Sequence, residues 1–264
     1  MLEYLQFKNG GNIVARFVEH KQVVLRSTLE VIPDISALPR VGAGHDGRVF
    51  KFNDKALKLL KYDISLRKEK NLMTFSKATY FLDELDLKRI IKPIDILLDS
   101  EGVYTGYVME YLDDVTNPKK KDSPIYREPE DFSCGELINS IHDLIEDFNE
   151  LTRKNVLAAD INRGSYIFTT DFMHLCDMDK YQKDLIKIDD QNKRMLNYVI
   201  AKFLAIVMSK KLSKEQLKLV NEWVKKSANS RRFLESLEKE IGSDYRVPIG
   251  DFATYKVKKL IQIK

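Results

Sequence analysis

One stretch constrains this chain more than any other: residues 156–181, VLAADINRGSYIFTTDFMHLCDMDKY. Asp160 sits in a short polar loop, followed by the apolar run Tyr166-Ile167-Phe168, a turn, and a second apolar run that ends in Cys176-Asp177-Met178-Asp179. Two strands joined by a turn bring the ends of such a segment together, so Asp160 and Asp177 are expected to flank one site. Aspartates in turns commonly do no more than accept backbone amides. A pair in which one carboxylate takes a hydroxyl proton and the other holds a divalent metal is also the division of labour that phosphoryl transfer needs. What precedes the stretch decides between the two.

The chain of 264 residues is long enough for one large domain or two modest lobes, and either buries an ample core. With 44% hydrophobic and 32% charged residues it has the composition of a globular protein, which excludes a disordered chain. The net charge of +4 suits a phosphate-bearing ligand but is too small and too dispersed to indicate a nucleic-acid partner. Cys134 and Cys176 form neither a disulfide framework nor a metal-ligand spacing, which points to a reducing compartment. Met1-Leu2-Glu3 opens no signal peptide, and the longest apolar stretch, 199–208, is interrupted by Lys202 and too short to span a bilayer. A cytoplasmic location without a membrane partner is therefore expected.

Residues 1–32 read as a small antiparallel meander, with Asn9-Gly10-Gly11 as a turn and strands over 12–19 and 23–31. Gly42, Gly44 and Gly47 follow, then Val49, a strand to Phe52, the turn Asn53-Asp54, and a strand through Lys58. Arg48-Val49 after the last glycine excludes a Walker loop, which needs Lys and then Ser or Thr there. Glycines between two antiparallel strands instead make a flap whose backbone can close over phosphates, with Val49 packing on a purine and Lys58 placed beneath as a point charge for phosphate oxygens. Residues 64–82 read as a helix, 90–98 and 106–111 as strands around the turn 99–102. Residues 113–131, with three prolines and Lys119-Lys120-Lys121, form a linker or exposed insert. Residues 135–153 keep apolar residues at helical spacing, as do 192–211, 214–226 and 231–241; 245–264 is a basic, mixed tail with no legible role.

In this order the chain resembles the protein-kinase-like superfamily, in an atypical bacterial form. Gly42, Gly44, Gly47 and Val49 match its glycine flap, Ala56-Leu57-Lys58 its lysine strand, Met109-Glu110-Tyr111-Leu112 its hinge, Asp160 its catalytic loop and Asp177 its metal-binding aspartate. The resemblance spans about residues 40–210. It implies an α+β, bilobal protein-kinase-like fold with a β-rich N-lobe and a mainly helical C-lobe, divided into an N-terminal meander (1–39), an N-lobe (40–112) and a C-lobe (113–264). It further implies ATP and Mg²⁺ as ligands. Asp160 would act as base. Lys58 would anchor the phosphates, with Glu69 as its partner or, in second place, Glu84. Met109, Glu110 and Leu112 would line the adenine site, Asp177 would hold the metal, and Ser165, Asn162 and Asp179 would be further metal ligands.

Three departures bear on activity. Ala158 and Ala159 stand where the family has His and Arg, which removes a receiver for an activation-loop phosphate. Ser165 stands where the family has a metal-binding Asn, with Asn162 near enough to substitute. Asp179 replaces a glycine and offers a second carboxylate. The function implied is transfer of the ATP γ-phosphate to a hydroxyl, with a Ser/Thr protein side chain as the favoured acceptor. A pseudokinase acting as a nucleotide-binding or interaction module stays open as the alternative, and a small-molecule kinase as a second. The acceptor, protein or small molecule, is not identified by the sequence.

Overall fold

The computed structural model describes residues 22–44, 47–60, 73–117, 119, 121–183, 188–208, 211–226, 230–242 and 245–262. The chain divides into two compact units: one holds residues 1–79 and 93–111, the other residues 80–92 and 112–264. The fold is α+β. Among the described residues the first unit is built on an antiparallel sheet and the second holds most of the helices, consistent with the bilobal kinase-like fold expected. No helix among the described residues is long and apolar enough to cross a membrane.

The sheet of the first unit contains β1 Val23–Leu25, β2 Val31–Ile32, β3 Arg40–Ala43, β4 Gly47–Phe52, β5 Lys55–Leu60, β6 Asp95–Leu98 and β7 Tyr104–Glu110, in the order β2-β1-β6-β7-β5-β4-β3. Asn53 and Asp54 join β4 to β5, Asn53 taking the left-handed φ of 55° that such a two-residue turn needs and that Asn tolerates. Directly opposed residues in an antiparallel ladder point to the same face, and so do alternate residues along a strand. The registers Phe50↔Leu57↔Val108 therefore put those three side chains on one face, where they pack with Leu59, Leu97, Val23, Leu25 and Ile32 as a core. The registers Val49↔Lys58↔Tyr107 and Ala56↔Met109 put another five on the opposite face.

Two expectations change here. Residues 23–31 are not a single strand: the chain turns after Leu25, with Leu29 at φ 57°, and returns as β2 against β1. Buried Asp95 fixes that turn by accepting the Ser27 amide at 3.1 Å and the Ser27 hydroxyl at 2.6 Å, a long-range bond that β-branched composition cannot reveal. Residues 1–21, the rest of the expected meander, lie outside the described residues. Of the helix expected over 64–82, residues 64–72 lie outside the described residues, Met73 and Thr74 are not helical, and a helix, α1, runs over Phe75–Glu84.

In the second unit α2, Cys134–Arg153, begins at a capping box in which the Ser133 hydroxyl accepts the Glu136 amide and the Glu136 carboxylate accepts the Ser133 amide. Short strands β8 Val156–Leu157, β9 Tyr166–Thr169, β10 Phe172–Leu175 and β11 Gln182–Lys183 follow, then α3 Ile188–Val207, α4 Lys214–Lys226, α5 Ser230–Ile241 and α6 Ile249–Gln262. Phe132, Phe168, Phe172 and Phe203 form an aromatic cluster with centroids 4.5–6.3 Å apart, clamping the β9–β10 hairpin to α3.

The basic tail is helix α6, with Ile249, Phe252, Ala253 and Val257 buried. Its lysines concealed it. Lys256 is only 3% exposed, because its ammonium pairs with Glu240 and lies 4.1 Å over the Trp223 ring. Just before α6, the carbonyls of Val247 and Tyr245 accept the amides of Cys134 and Gly135, satisfying donors that the first turn of α2 leaves without intrahelical partners.

Candidate functional site

In the first unit the glycine flap is the β3–β4 hairpin. Gly42 lies opposite Val49, and the Gly44 amide donates to the Gly47 carbonyl at 3.0 Å; His45 and Asp46 between them lie outside the described residues. A Cβ on Gly47 would stand 2.5 Å from the Leu59 carbonyl oxygen, so only glycine lets β4 lie this close to β5. Lys58 is directly across from Val49 on one side and from Tyr107 on the other, with its ammonium 5.9 Å from the Tyr107 ring centroid. Val49, Lys58 and Met109 therefore share the sheet face turned away from the core. Lys58 is 8% exposed.

Glu110 ends β7 opposite Lys55 and is exposed, the next amide, Tyr111, donates to the Asp54 carbonyl at 3.1 Å, and Leu112 opens the second unit. Glu69 lies outside the described residues. Glu84 is engaged elsewhere: Lys154 binds its carboxylate at 2.7 Å, and that hydrogen bond and charge hold its carboxyl below the usual range.

In the second unit the β9–β10 hairpin pairs Tyr166 with Leu175, which brings residues 165 and 176 side by side. The Cys176 amide donates to the Ser165 carbonyl at 2.8 Å, joining the loop that carries Asp160 to the loop that carries Asp177. Both aspartates are exposed to solvent in part or in full, and both hold left-handed backbone, φ 57° and 78°. Asp and Asn adopt that region more readily than other side chains, and its use twice within one loop cluster marks a constrained geometry.

Between them the loop closes on itself. The Asn162 side chain accepts the Gly164 amide at 2.9 Å and donates to the Asp160 carbonyl at 3.3 Å, while the Ser165 hydroxyl accepts the Asn162 amide at 3.1 Å. Ser165 is 1% exposed, and so is Asp179 in the short turn after Asp177. The candidate donors are thus two carboxylates, a hydroxyl and an amide oxygen. An all-oxygen set of this kind fits a hard cation such as Mg²⁺.

No family model matches the chain, and no curated protein matches it. A solved structure does. The kinase domain of Mycobacterium tuberculosis PknI, solved as a point mutant, is 15% identical with a TM-score of 0.49, over 78% of this chain and 95% of that one.

Two residues that hold these loops have no motif. Asn192 of α3, 1% exposed, accepts the Ala158 amide at 3.0 Å and donates to the Val156 carbonyl at 2.8 Å and the Thr152 hydroxyl at 3.0 Å. It fixes the strand from which the Asp160 loop departs. Asp147 of α2, also 1% exposed, accepts the consecutive amides of Lys88, Arg89 and Ile90 at 2.8, 2.7 and 2.9 Å. Burial pushes its carboxyl up to about 6 against the pull of those three amides. In the sequence both helices show mainly an apolar stripe, and the signal for Asn192 and Asp147 is that each is a polar residue on that stripe.

Proposed function

We propose that this chain is an ATP- and Mg²⁺-dependent phosphotransferase of the protein-kinase-like kind, moving the γ-phosphate of ATP to a hydroxyl, with a Ser/Thr protein side chain as acceptor. One observation carries this: two solvent-accessible aspartates on left-handed backbone, in loops joined by the Cys176–Ser165 bond at the open end of a single hairpin. Asp160 would accept and orient the acceptor hydroxyl, and Asp177 with Asp179 would hold the metal. A bound Mg²⁺ would supply neutralisation of the phosphate charge during transfer. The first unit would contribute Lys58 to the phosphates, Gly42, Gly44 and Gly47 as a flap over them, Val49 and Met109 to the base, and the Glu110 and Leu112 backbone to its edge. Glu69 would orient Lys58. Phosphoryl transfer depends on positioning and charge, and these groups supply both.

The test is a thermal-shift titration with ATP, with and without Mg²⁺, followed by transfer of radiolabelled γ-phosphate to protein acceptors. Mg²⁺-dependent stabilisation that disappears in Asp177→Asn, together with labelled Ser or Thr, supports the proposal. A wild-type chain that ATP does not stabilise overturns it.

A second reading rests on the Asn162–Ser165 loop. The Asn162 carbonyl oxygen and the Ser165 hydroxyl are already acceptors for backbone amides, which leaves them weaker metal ligands than uncommitted side chains. A pseudokinase, binding nucleotide without transfer, follows from that. Mg²⁺-independent ATP stabilisation with no labelled product selects it.

A further inference from the structure

Asp147 lies on α2, outside every motif, yet three amides in succession converge on its carboxylate. The tripeptide it holds reaches strand β10 at once. The Leu175 amide donates to the Arg89 carbonyl at 2.6 Å, the Ile91 amide donates to the Leu175 carbonyl at 2.7 Å, and Ile90 bridges to Leu175 in parallel register. Leu175 is the last residue of β10, two before Asp177. The same tripeptide secures the other end of the hairpin. The Arg89 guanidinium donates to the Asp171 carbonyl at 2.9 Å and carboxylate at 3.0 Å, and to Asp143 of α2 at 2.9 Å. One buried carboxylate thus fixes the backbone of residues 88–90, and this segment holds both ends of the strand delivering Asp177, its backbone at Leu175 and the Arg89 guanidinium at Asp171.

We infer that Asp147 is a positioning residue for the metal site, holding Asp177 in place through the backbone of residues 88–91 and Leu175. This rests on the proposed role of Asp177 as a metal ligand and extends it to a residue two contacts removed. Carboxylates that orient a ligand from outside the coordination sphere typically change metal affinity by about tenfold or more when removed. Coupling of this kind is reciprocal: metal on Asp177 must then tighten the hold on the tripeptide.

The experiment is a Mn²⁺ titration followed by electron paramagnetic resonance, with ADP present, on wild type, Asp147→Asn, Asp177→Asn and Ile141→Val. The last removes a methyl from the buried face of the same helix and serves as a destabilised control. All are measured where circular dichroism shows them folded. Expected are a loss of Mn²⁺ binding in Asp177→Asn, a weakening of about tenfold in Asp147→Asn, and wild-type affinity in Ile141→Val. Wild-type affinity in Asp147→Asn, with binding lost in Asp177→Asn, overturns the positioning role and leaves the metal site standing. Unchanged affinity in Asp177→Asn overturns both. Should Asp147→Asn not fold, hydrogen exchange of the wild-type chain decides: Mg²⁺ with ADP slows exchange of the Arg89 and Ile90 amides, and exchange that Mg²⁺ leaves unchanged overturns the inference.

Discussion

The Cys176 amide and the Ser165 carbonyl, 2.8 Å apart, tie together two loops separated by the whole β9–β10 hairpin. On one side of the bond the Asp160 loop closes through Asn162; on the other the chain passes directly into Asp177. The bond is made by backbone alone, so it constrains the chain behind both aspartates without drawing on either carboxylate.

Asp160→Asn keeps the size of the side chain and removes the proposed proton acceptor. Transfer to a hydroxyl is expected to fall by roughly 10²–10⁴-fold, while ATP stabilises the variant as much as it does wild type. Initial rates of phosphate transfer beside a thermal-shift titration check this; turnover retained at the wild-type level removes Asp160 from the mechanism.

Asn192→Leu fills the space but leaves the Ala158 amide and the Val156 carbonyl without their partner. Two buried polar groups left unpaired cost about 2–6 kcal/mol together. Urea unfolding should show a loss in that range, and the turnover per folded molecule should drop as the Asp160 loop loses its anchor. A loss below about 1 kcal/mol, the worth of one ordinary hydrogen bond, would mean the loop is held by something else.

Gly106 and Gly44 are expected to respond differently to alanine. A Cβ at Gly106 would stand 2.0 Å from the Lys58 carbonyl oxygen, inside the sheet; a Cβ at Gly44 meets nothing within 4 Å. Gly106→Ala must push β7 away from β5 and should destabilise by about 2 kcal/mol or more, visible as a lower melting temperature. Gly44→Ala should melt with wild type, so any change in its ATP affinity reports on the flap and not on folding.

Asp147 gives stability a definite pH dependence. Its carboxyl stands at about 6 in the folded chain, above its ordinary value of 3.8, because burial disfavours the charge and the neighbouring Asp143 carboxylate adds to that. The folded state then binds the proton more tightly than the unfolded state between about pH 4 and 6. Stability from this group is complete below the unfolded value and is lost as pH rises through about 6. The difference amounts to about 3 kcal/mol. Urea unfolding of wild type and Asp147→Asn across about pH 4–7 isolates it, since the other carboxylates cancel: the advantage of wild type should shrink as pH rises. An advantage that grows with pH would mean that the three amides outweigh burial.

Much of the fold was legible because it is local. Two-residue turns, alternation and helical spacing mark β4, β5, α2, α3, α4 and α5 within a few residues of their observed bounds. The β1–β2 turn was not, because Asp95, 68 residues from Ser27, holds it. Helix α6 was not, because Lys256 reads as solvent-facing until Glu240 and Trp223 are brought to it. Of the candidate site, the residues proposed to carry chemistry stood in motifs, while Asn192 and Asp147, which bind backbone nearby, did not.

The sequence alone determined which groups the proposed phosphate chemistry would draw on, their order along the chain, and the hairpin that brings residues 165 and 176 together, since strand pairing across a short turn is set within the segment. Only the tertiary structure decided which residues keep those groups in position. A buried Asn or Asp becomes an anchor when distant backbone amides and carbonyls must satisfy their hydrogen bonds there, and the identity of those partners is set by packing, not by spacing along the chain.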